Sequence, residues 1–191
     1  MIVPESSLPV ALIGLRAVGK STLARGVARR LDRSVLDTDD EIVRLAADRG
    51  LVPGDADTGA VFRALGAEAF RDLEGEVLAD SSARRPALVI ATGGGAVERP
   101  AARAILRNQT VAIWLDAPIE LLARRMRADE TDRPALFGGD PVAELPELAA
   151  RRAPWFAEVA RARLTIGRLD LDSAIGAIIQ AVEPYLARGS T

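Results

Sequence analysis

The residues Gly14-Leu15-Arg16-Ala17-Val18-Gly19-Lys20-Ser21-Thr22 satisfy the pattern G-x-x-x-x-G-K-[ST], and their surroundings limit the possible folds more than any other feature of the chain. Before them, Pro9-Val10-Ala11-Leu12-Ile13 is a short apolar run without helical period, which reads as a strand buried on both faces. After them, Leu23, Val27 and Leu31 recur every four residues and mark a helix starting near Gly19. Strand, glycine loop and helix in that order turn backbone N–H groups inward at a helix N-terminus, which makes a concave anion site. Chance alone yields such a motif in on the order of one chain in a hundred of this length, and the strand-to-helix setting makes chance much rarer. Lys20 is the only lysine, the other 24 of the 25 basic residues being Arg. A guanidinium is a planar fork, whereas a phosphate loop needs a slim point charge. The motif therefore predicts a nucleotide site built from Gly14, Ala17, Val18, Gly19, Lys20, Ser21 and Thr22. Lys20 supplies the cation at the β- and γ-phosphates and Ser21 a hydroxyl ligand for Mg²⁺.

The rest of the chain continues the alternation. Arg33 to Asp37 reads as a second strand and Glu41 to Asp48 as a helix ended by Gly50, followed by a Pro-, Gly- and Asp-rich loop over Leu51 to Gly59. Phe70, Leu73 and Val77 share one helix face, and Ala87 to Ala91 and Thr110 to Leu115 are apolar strands. Asp116 and Pro118 stand where a cap and a first turn are expected, Leu164 to Ile166 forms a last short strand, and Asp172 caps the closing helix. Such β/α alternation implies a parallel sheet covered by helices on both faces. At 191 residues, 49% apolar and 27% charged, the chain is expected to form one soluble domain, 1–191. A formal net charge of -2 gives no general attraction to nucleic acid or anionic lipid. With no Cys and no His, chemistry falls to carboxylates, Arg, Lys, hydroxyls and backbone. No segment reads as a signal peptide or a membrane span, and a cytoplasmic monomer is expected.

Asp37-Thr38-Asp39 lies at the end of the second strand, where ligands collect in open parallel sheets. Two carboxylates at this spacing can divide their roles, one near Mg²⁺ and one near an acceptor hydroxyl, although Thr38 or Asp39 can equally start the next helix. Gly93-Gly94-Gly95 after the third strand permits close backbone approach to a ligand, or a plain turn. Arg71 and Glu74, three apart on a helix, place a carboxylate where it can orient a guanidinium, though most such pairs are solvated surface contacts. The polar segment 129–140, with Asp132-Arg133-Pro134 and Gly138-Gly139, has the composition of a mobile lid or of an ordinary exposed loop. Arg151-Arg152 beyond it reads as surface charge unless other residues argue otherwise.

Taken in order, the phosphate loop, Asp37-Thr38-Asp39, Phe70-Arg71-Asp72-Leu73-Glu74, Gly93-Gly94-Gly95, Arg133-Pro134-Ala135-Leu136 and Arg152-Ala153-Pro154 resemble the shikimate kinases over about Val10 to Ala160. The resemblance implies a three-layer αβα P-loop kinase fold with a five-stranded parallel sheet of order 2-3-1-4-5, a substrate-binding region about 39–80 and a lid. It implies ATP, Mg²⁺ and shikimate as ligands. Asp37 would act with Ser21 around Mg²⁺, while Asp39 would bind ring hydroxyls and accept the proton of the attacking one. Arg71 and Arg152 would hold the substrate carboxylate, assisted by the backbone of Gly93, Gly94 and Gly95. Arg133 would touch ATP and offset charge on the transferring phosphoryl.

Three departures from the family pattern stand out: Ala17 replaces a usual glycine, Leu51 to Gly59 looks like an insertion, and Phe62-Arg63 imitates the Arg71 motif without its Glu. Trp155-Phe156 read as packing residues. Two other functions fit parts of the pattern: a kinase for another hydroxy acid or sugar such as gluconate, and a regulatory domain that binds nucleotide without transfer. The second is disfavoured by the presence of Lys20, Asp37, Asp39 and Arg133, and by the nine residues before the first strand, which leave no room for an attached DNA-binding module.

Overall fold

The computed structural model describes residues 8–128 and 140–186, so Arg133 and nearly all of the expected lid lie outside the described residues. Five parallel strands form one sheet in the order β2-β3-β1-β4-β5, as the resemblance implied. They are β1 (Val10–Ile13), β2 (Val35–Asp37), β3 (Val89–Ala91), β4 (Val111–Asp116) and β5 (Ala162–Thr165). All residues of β1 and β3 and the first five of β4 are buried, while the edge strands β2 and β5 have exposed positions. Continuous apolar runs belong at the centre because only there are both faces of a strand covered.

The helices are α1 (Lys20–Leu31), α2 (Thr38–Asp48), α3 (Thr58–Ala83), α4 (Pro100–Gln109), α5 (Ile119–Ala128), α6 (Leu145–Val159) and α7 (Leu171–Leu186). From β1 the chain crosses to one side of the sheet, and from β3 it crosses back over β1 to the other. Right-handed connections then put α1 on one face and α4 to α6 on the opposite one, and α7, which follows the last strand, packs beside α1. Helices α1 and α7 pack closely enough that a side chain at Gly26 would overlap Ile175. A second apolar cluster of Ile42, Ala46, Val61, Phe70, Leu73 and Val77 joins α2 to α3 beside the sheet.

Several local expectations change. Helix α3 begins at Thr58, inside the expected loop, because the Asp57 side chain accepts the Ala60 N–H at 2.6 Å. It is two helical pieces meeting at Gly66, whose φ of 76° and ψ of 169° break the helical path. The Phe62-Arg63 pair lies on the first piece: Arg63 is exposed, and Phe62 packs edge-on against Phe70 with ring centroids 5.3 Å apart. Asp116 does not cap α5; its Oδ2 accepts from Arg163 Nε and Nη2 of the neighbouring strand at 3.2 and 2.6 Å. Pro118 precedes α5 and receives the N–H groups of Leu121 and Leu122. At α7 the capping carboxylate is Asp170, which accepts the Ser173 N–H at 2.7 Å, and Asp172 sits in the first turn. Trp155 and Phe156 do pack: Phe156 stacks on Trp114 with centroids 5.6 Å apart, and Trp155 lies beside Arg103 and Arg151.

Candidate active site

The register aligns Ile13 with Trp114, Leu12 with Ala91 and Asp37 with Ala91, so the loops after β1, β2 and β3 leave the sheet at one edge. Ligands gather at the carboxyl ends of strands in such sheets. A cleft of about 480 Å³ opens there, lined among others by Lys20, Ser21, Asp37, Asp39, Gly94 and Arg125. Ile166, Leu169 and Leu171 add apolar surface to its lining, beside Asp170.

Helix α1 starts without any side-chain cap and without an acidic residue in its first turn, and Gly19 stands at the cap in the left-handed region with φ 103°. The first-turn N–H groups therefore stay available to an anion. The Lys20 ammonium is buried and donates to the carbonyls of Gly14 at 2.9 Å and Leu15 at 2.8 Å. Arg125 of α5 supports the same loop, donating to Ala17 O at 3.2 Å and Val18 O at 3.1 Å. Ser21 is half-buried and Thr22 exposed on the first turn.

Ala17 is held at φ 62°. A Cβ in this region costs roughly 1–2 kcal/mol, which is the physical reason a glycine suits the position. Glycine also gains freedom in the unfolded chain and gives back about 0.4–1 kcal/mol. We therefore expect Ala17→Gly to stabilise the protein by roughly 0.5–1 kcal/mol, raising Tm by about 1–4 °C. Urea unfolding measures this directly, and an unchanged or lower midpoint would contradict the strain.

The helix α2 starts at Thr38, one of the two starts expected, and the residue that caps it is Asp37, whose side chain accepts the Asp39 N–H at 3.1 Å. Capping occupies one Asp37 oxygen, while the residue still lines the cleft. Thr38 Oγ1 accepts the Gly93 N–H at 2.8 Å, tying the second strand's end to the third. The Asp39 carboxyl titrates above the ordinary aspartate range, chiefly because it is desolvated and then because Asp37 and Asp40 are near, with Lys20 and Arg71 opposing.

The arginines are buried rather than solvated. Arg71 is 9% exposed and Arg152 is 1% exposed. Arg71 Nη1 donates to Glu74 Oε2 at 2.8 Å, as the spacing on α3 suggested. Burial opposes the charge of Arg71, but Glu74 and Glu98 outweigh it and its pKa rises; for Arg152 burial wins and the pKa falls. Both guanidinium groups remain charged. Burial pushes the Glu74 carboxyl up, and its Oε1 has no hydrogen-bond partner among the described residues. Gly95 is required by close approach, since a Cβ there would run into the Arg71 guanidinium. Gly94 is the meeting point of the site: a Cβ there would lie 3.2 Å from Arg16 N, 3.6 Å from Arg152 Nη1 and 3.7 Å from Gly14 O. Gly94 thus lies between the phosphate loop and the Arg152 guanidinium, with Gly95 against Arg71, although neither arginine lines the cleft itself.

Two contributors were not foreseen. Glu98 joins Arg71 to Arg152, and Arg125 braces the phosphate loop. Glu98 follows Gly95 by three residues, but nothing in local spacing tells such a carboxylate from a surface residue. Arg125 is one of several arginines on α5 and has no distinguishing sequence signal.

An uncapped helix behind a lysine-bearing glycine loop, set at the carboxyl edge of this sheet, defines a P-loop α/β protein of the nucleotide-dependent phosphotransferase class. The sequence model described as shikimate kinase matches residues 16–183. The chain belongs to the shikimate kinase family. It is 40% identical over 182 residues to the shikimate kinase of Symbiobacterium thermophilum, covering 94% of this chain and 99% of that one. It is 38% identical to the shikimate kinase of Caulobacter vibrioides, over 95% of this chain and 85% of the relative. Among solved structures, shikimate kinase from Acinetobacter baumannii in complex with shikimate superimposes with a TM-score of 0.81 at 31% identity, covering 93% of this chain and 94% of that one.

Proposed function

We propose that the chain transfers the γ-phosphoryl group of ATP to the 3-hydroxyl of shikimate, giving ADP and shikimate 3-phosphate. The observation that carries this reading is the pair of buried guanidinium groups adjoining the phosphate loop through Gly94. Paired guanidinium forks match a carboxylate bidentately, so the acceptor is an acid. The half-buried Asp39 lines the cleft beside Lys20 and Gly94 and suits ring hydroxyls.

The nucleotide phosphates rest on the backbone amides from Ala17 to Thr22, with Lys20 exchanging loop carbonyls for β- and γ-oxygens. The adenine lies toward Ile166, Leu169 and Leu171. Leu169 and Leu171 are 42% and 49% exposed, apolar surface that a base would cover. Among the described residues no group of three or more Asp or Glu can hold a metal ion alone. Mg²⁺ in nucleotide sites needs only one or two protein ligands beside the phosphates, and the Ser21 hydroxyl and the second Asp37 oxygen fit that demand. When bound, Mg²⁺ neutralises phosphate charge. In the transfer, the acceptor oxygen bonds to the γ-phosphorus as the bond from the β–γ bridging oxygen breaks. The hydroxyl proton passes to Asp39, and ADP leaves.

A base must be unprotonated to act, so kcat falls as pH drops through an Asp39 ionisation above the usual value of about 3.9. Asp40 helps to raise that ionisation. We expect Asp40→Asn to move the acid limb of the kcat profile to lower pH. A limb that stays put or moves up argues against Asp39 as the base.

The activity is tested by coupled ADP release across shikimate, gluconate and related acids. The expected result is a kcat/KM for shikimate at least about tenfold above any other, a difference of one or two lost polar contacts. ADP release without preference for shikimate would reject the substrate assignment. No helix among the described residues is long and apolar enough to cross a membrane.

A further inference from the structure

The guanidinium clamp already holds a carboxylate. Glu98 Oε2 accepts from Arg71 Nε at 3.1 Å, and Glu98 Oε1 accepts from Arg152 Nε at 3.0 Å and Nη2 at 2.6 Å. One side chain thus bridges both groups, as the carboxylate of an acid substrate is expected to do. The two arginines hold the Glu98 carboxyl below its ordinary range despite burial. Arg71 and Arg152 supply two positive charges, and Glu74 and Glu98 two negative ones, so the clamp is balanced before any acid arrives.

Adding an acid with Glu98 in place would set three carboxylates against two guanidinium groups, with Asp39 nearby. In a site shielded from water that repulsion is strong. If Glu98 turns away instead, one carboxylate replaces another and the balance is kept. The two glutamates differ in their freedom to do so: the Glu74 side chain is 3% exposed on a helix, whereas Glu98 is 18% exposed on the loop between β3 and α4. Glu98 has a route to solvent.

We propose that Glu98 is a specificity-determining residue, an internal carboxylate that aligns Arg71 and Arg152 in the free protein and that the substrate carboxylate must displace. This rests on the reading of Arg71 and Arg152 as the acid clamp. Displacement sets an affinity threshold. A simple carboxylate brings nothing to outweigh Glu98, while an acid whose hydroxyls also engage Asp39 does, so discrimination comes from a built-in competitor.

The test compares the full chain with its Glu98→Gln and Arg152→Ala variants by calorimetric Kd and by KM in the ADP-release assay. Gln keeps size and an acceptor oxygen but drops the charge. Glu98→Gln is expected to bind shikimate about tenfold more tightly, the scale of one charge-assisted contact. Benzoate, which lacks hydroxyls, should gain similarly as a competitive inhibitor, and the uncharged methyl ester of shikimate should gain nothing. A purely structural Glu98 would not separate the acid from its ester. If Arg152→Ala weakens shikimate binding but Glu98→Gln leaves it unchanged or weaker, the displacement proposal is wrong while the clamp stands. If Arg152→Ala leaves binding unchanged, the clamp reading fails and this proposal with it. Should Glu98→Gln not fold, Glu98→Asp keeps the charge but cannot span both arginines, and must shift acid affinity in the same direction.

Discussion

Replacing Lys20 with alanine is expected to reduce kcat by at least about a thousandfold, because the transferring phosphoryl loses the cation that offsets its charge. Lys20 is the only lysine of the chain, is buried at the cleft, and has its ammonium 2.9 and 2.8 Å from two loop carbonyls. Those bonds hold the loop in its curved form, so the substitution acts twice, on the charge and on the cradle. Lys20→Arg should not rescue turnover, since a planar fork with five donors fills space that the phosphates need. Circular dichroism and the unfolding midpoint separate loss of chemistry from loss of fold. A folded Lys20→Ala protein with kcat within tenfold of the parent would remove the phosphate-loop assignment.

The second large effect lies at the buried guanidinium pair beside Gly94 and Gly95. Arg71→Ala should raise KM for shikimate roughly ten- to a hundredfold while the KM for ATP stays put, since a hydrogen bond to a charged group is worth about 1.5–3 kcal/mol. The expected loss is in affinity rather than in folding, for a reason visible in the site. Removing Arg71 strips Glu74 of its partner, but burial already pushes the Glu74 carboxyl up, which favours taking up a proton over remaining a buried charge. Glu98 loses one of its two guanidinium partners and keeps Arg152. An unchanged KM for the acid would reduce Arg71 to a structural ion pair.

Much of this site was readable because its parts are local. The phosphate loop, its strand and its helix occupy consecutive residues, so periodicity and glycine spacing determine their order and form. Asp37 and Asp39 were legible as a pair at a strand end. The further role of Asp37 as the cap of α2 was not, because its bond to the backbone of Asp39 is one that spacing alone does not choose over its neighbours. Asp116 illustrates the opposite failure: it has the sequence context of a cap, yet an arginine 47 residues later on the adjacent strand takes its carboxylate. Ala17 was legible as a departure, and only the backbone angle gave the departure a cost.

The sequence by itself determined the order of strands and helices, the presence of one phosphate loop with one lysine, and the residue types available for chemistry. These follow from side-chain period and local backbone preference, which act over a few residues. Tertiary structure alone decided that Arg71, Glu98 and Arg152, separated by 27 and 54 residues, share a single buried ion cluster against the phosphate loop. Charges so far apart in the chain meet only when the crossings of a parallel sheet bring its loops to one edge, and once buried they must pair, because an unpaired charge away from water is too costly to keep.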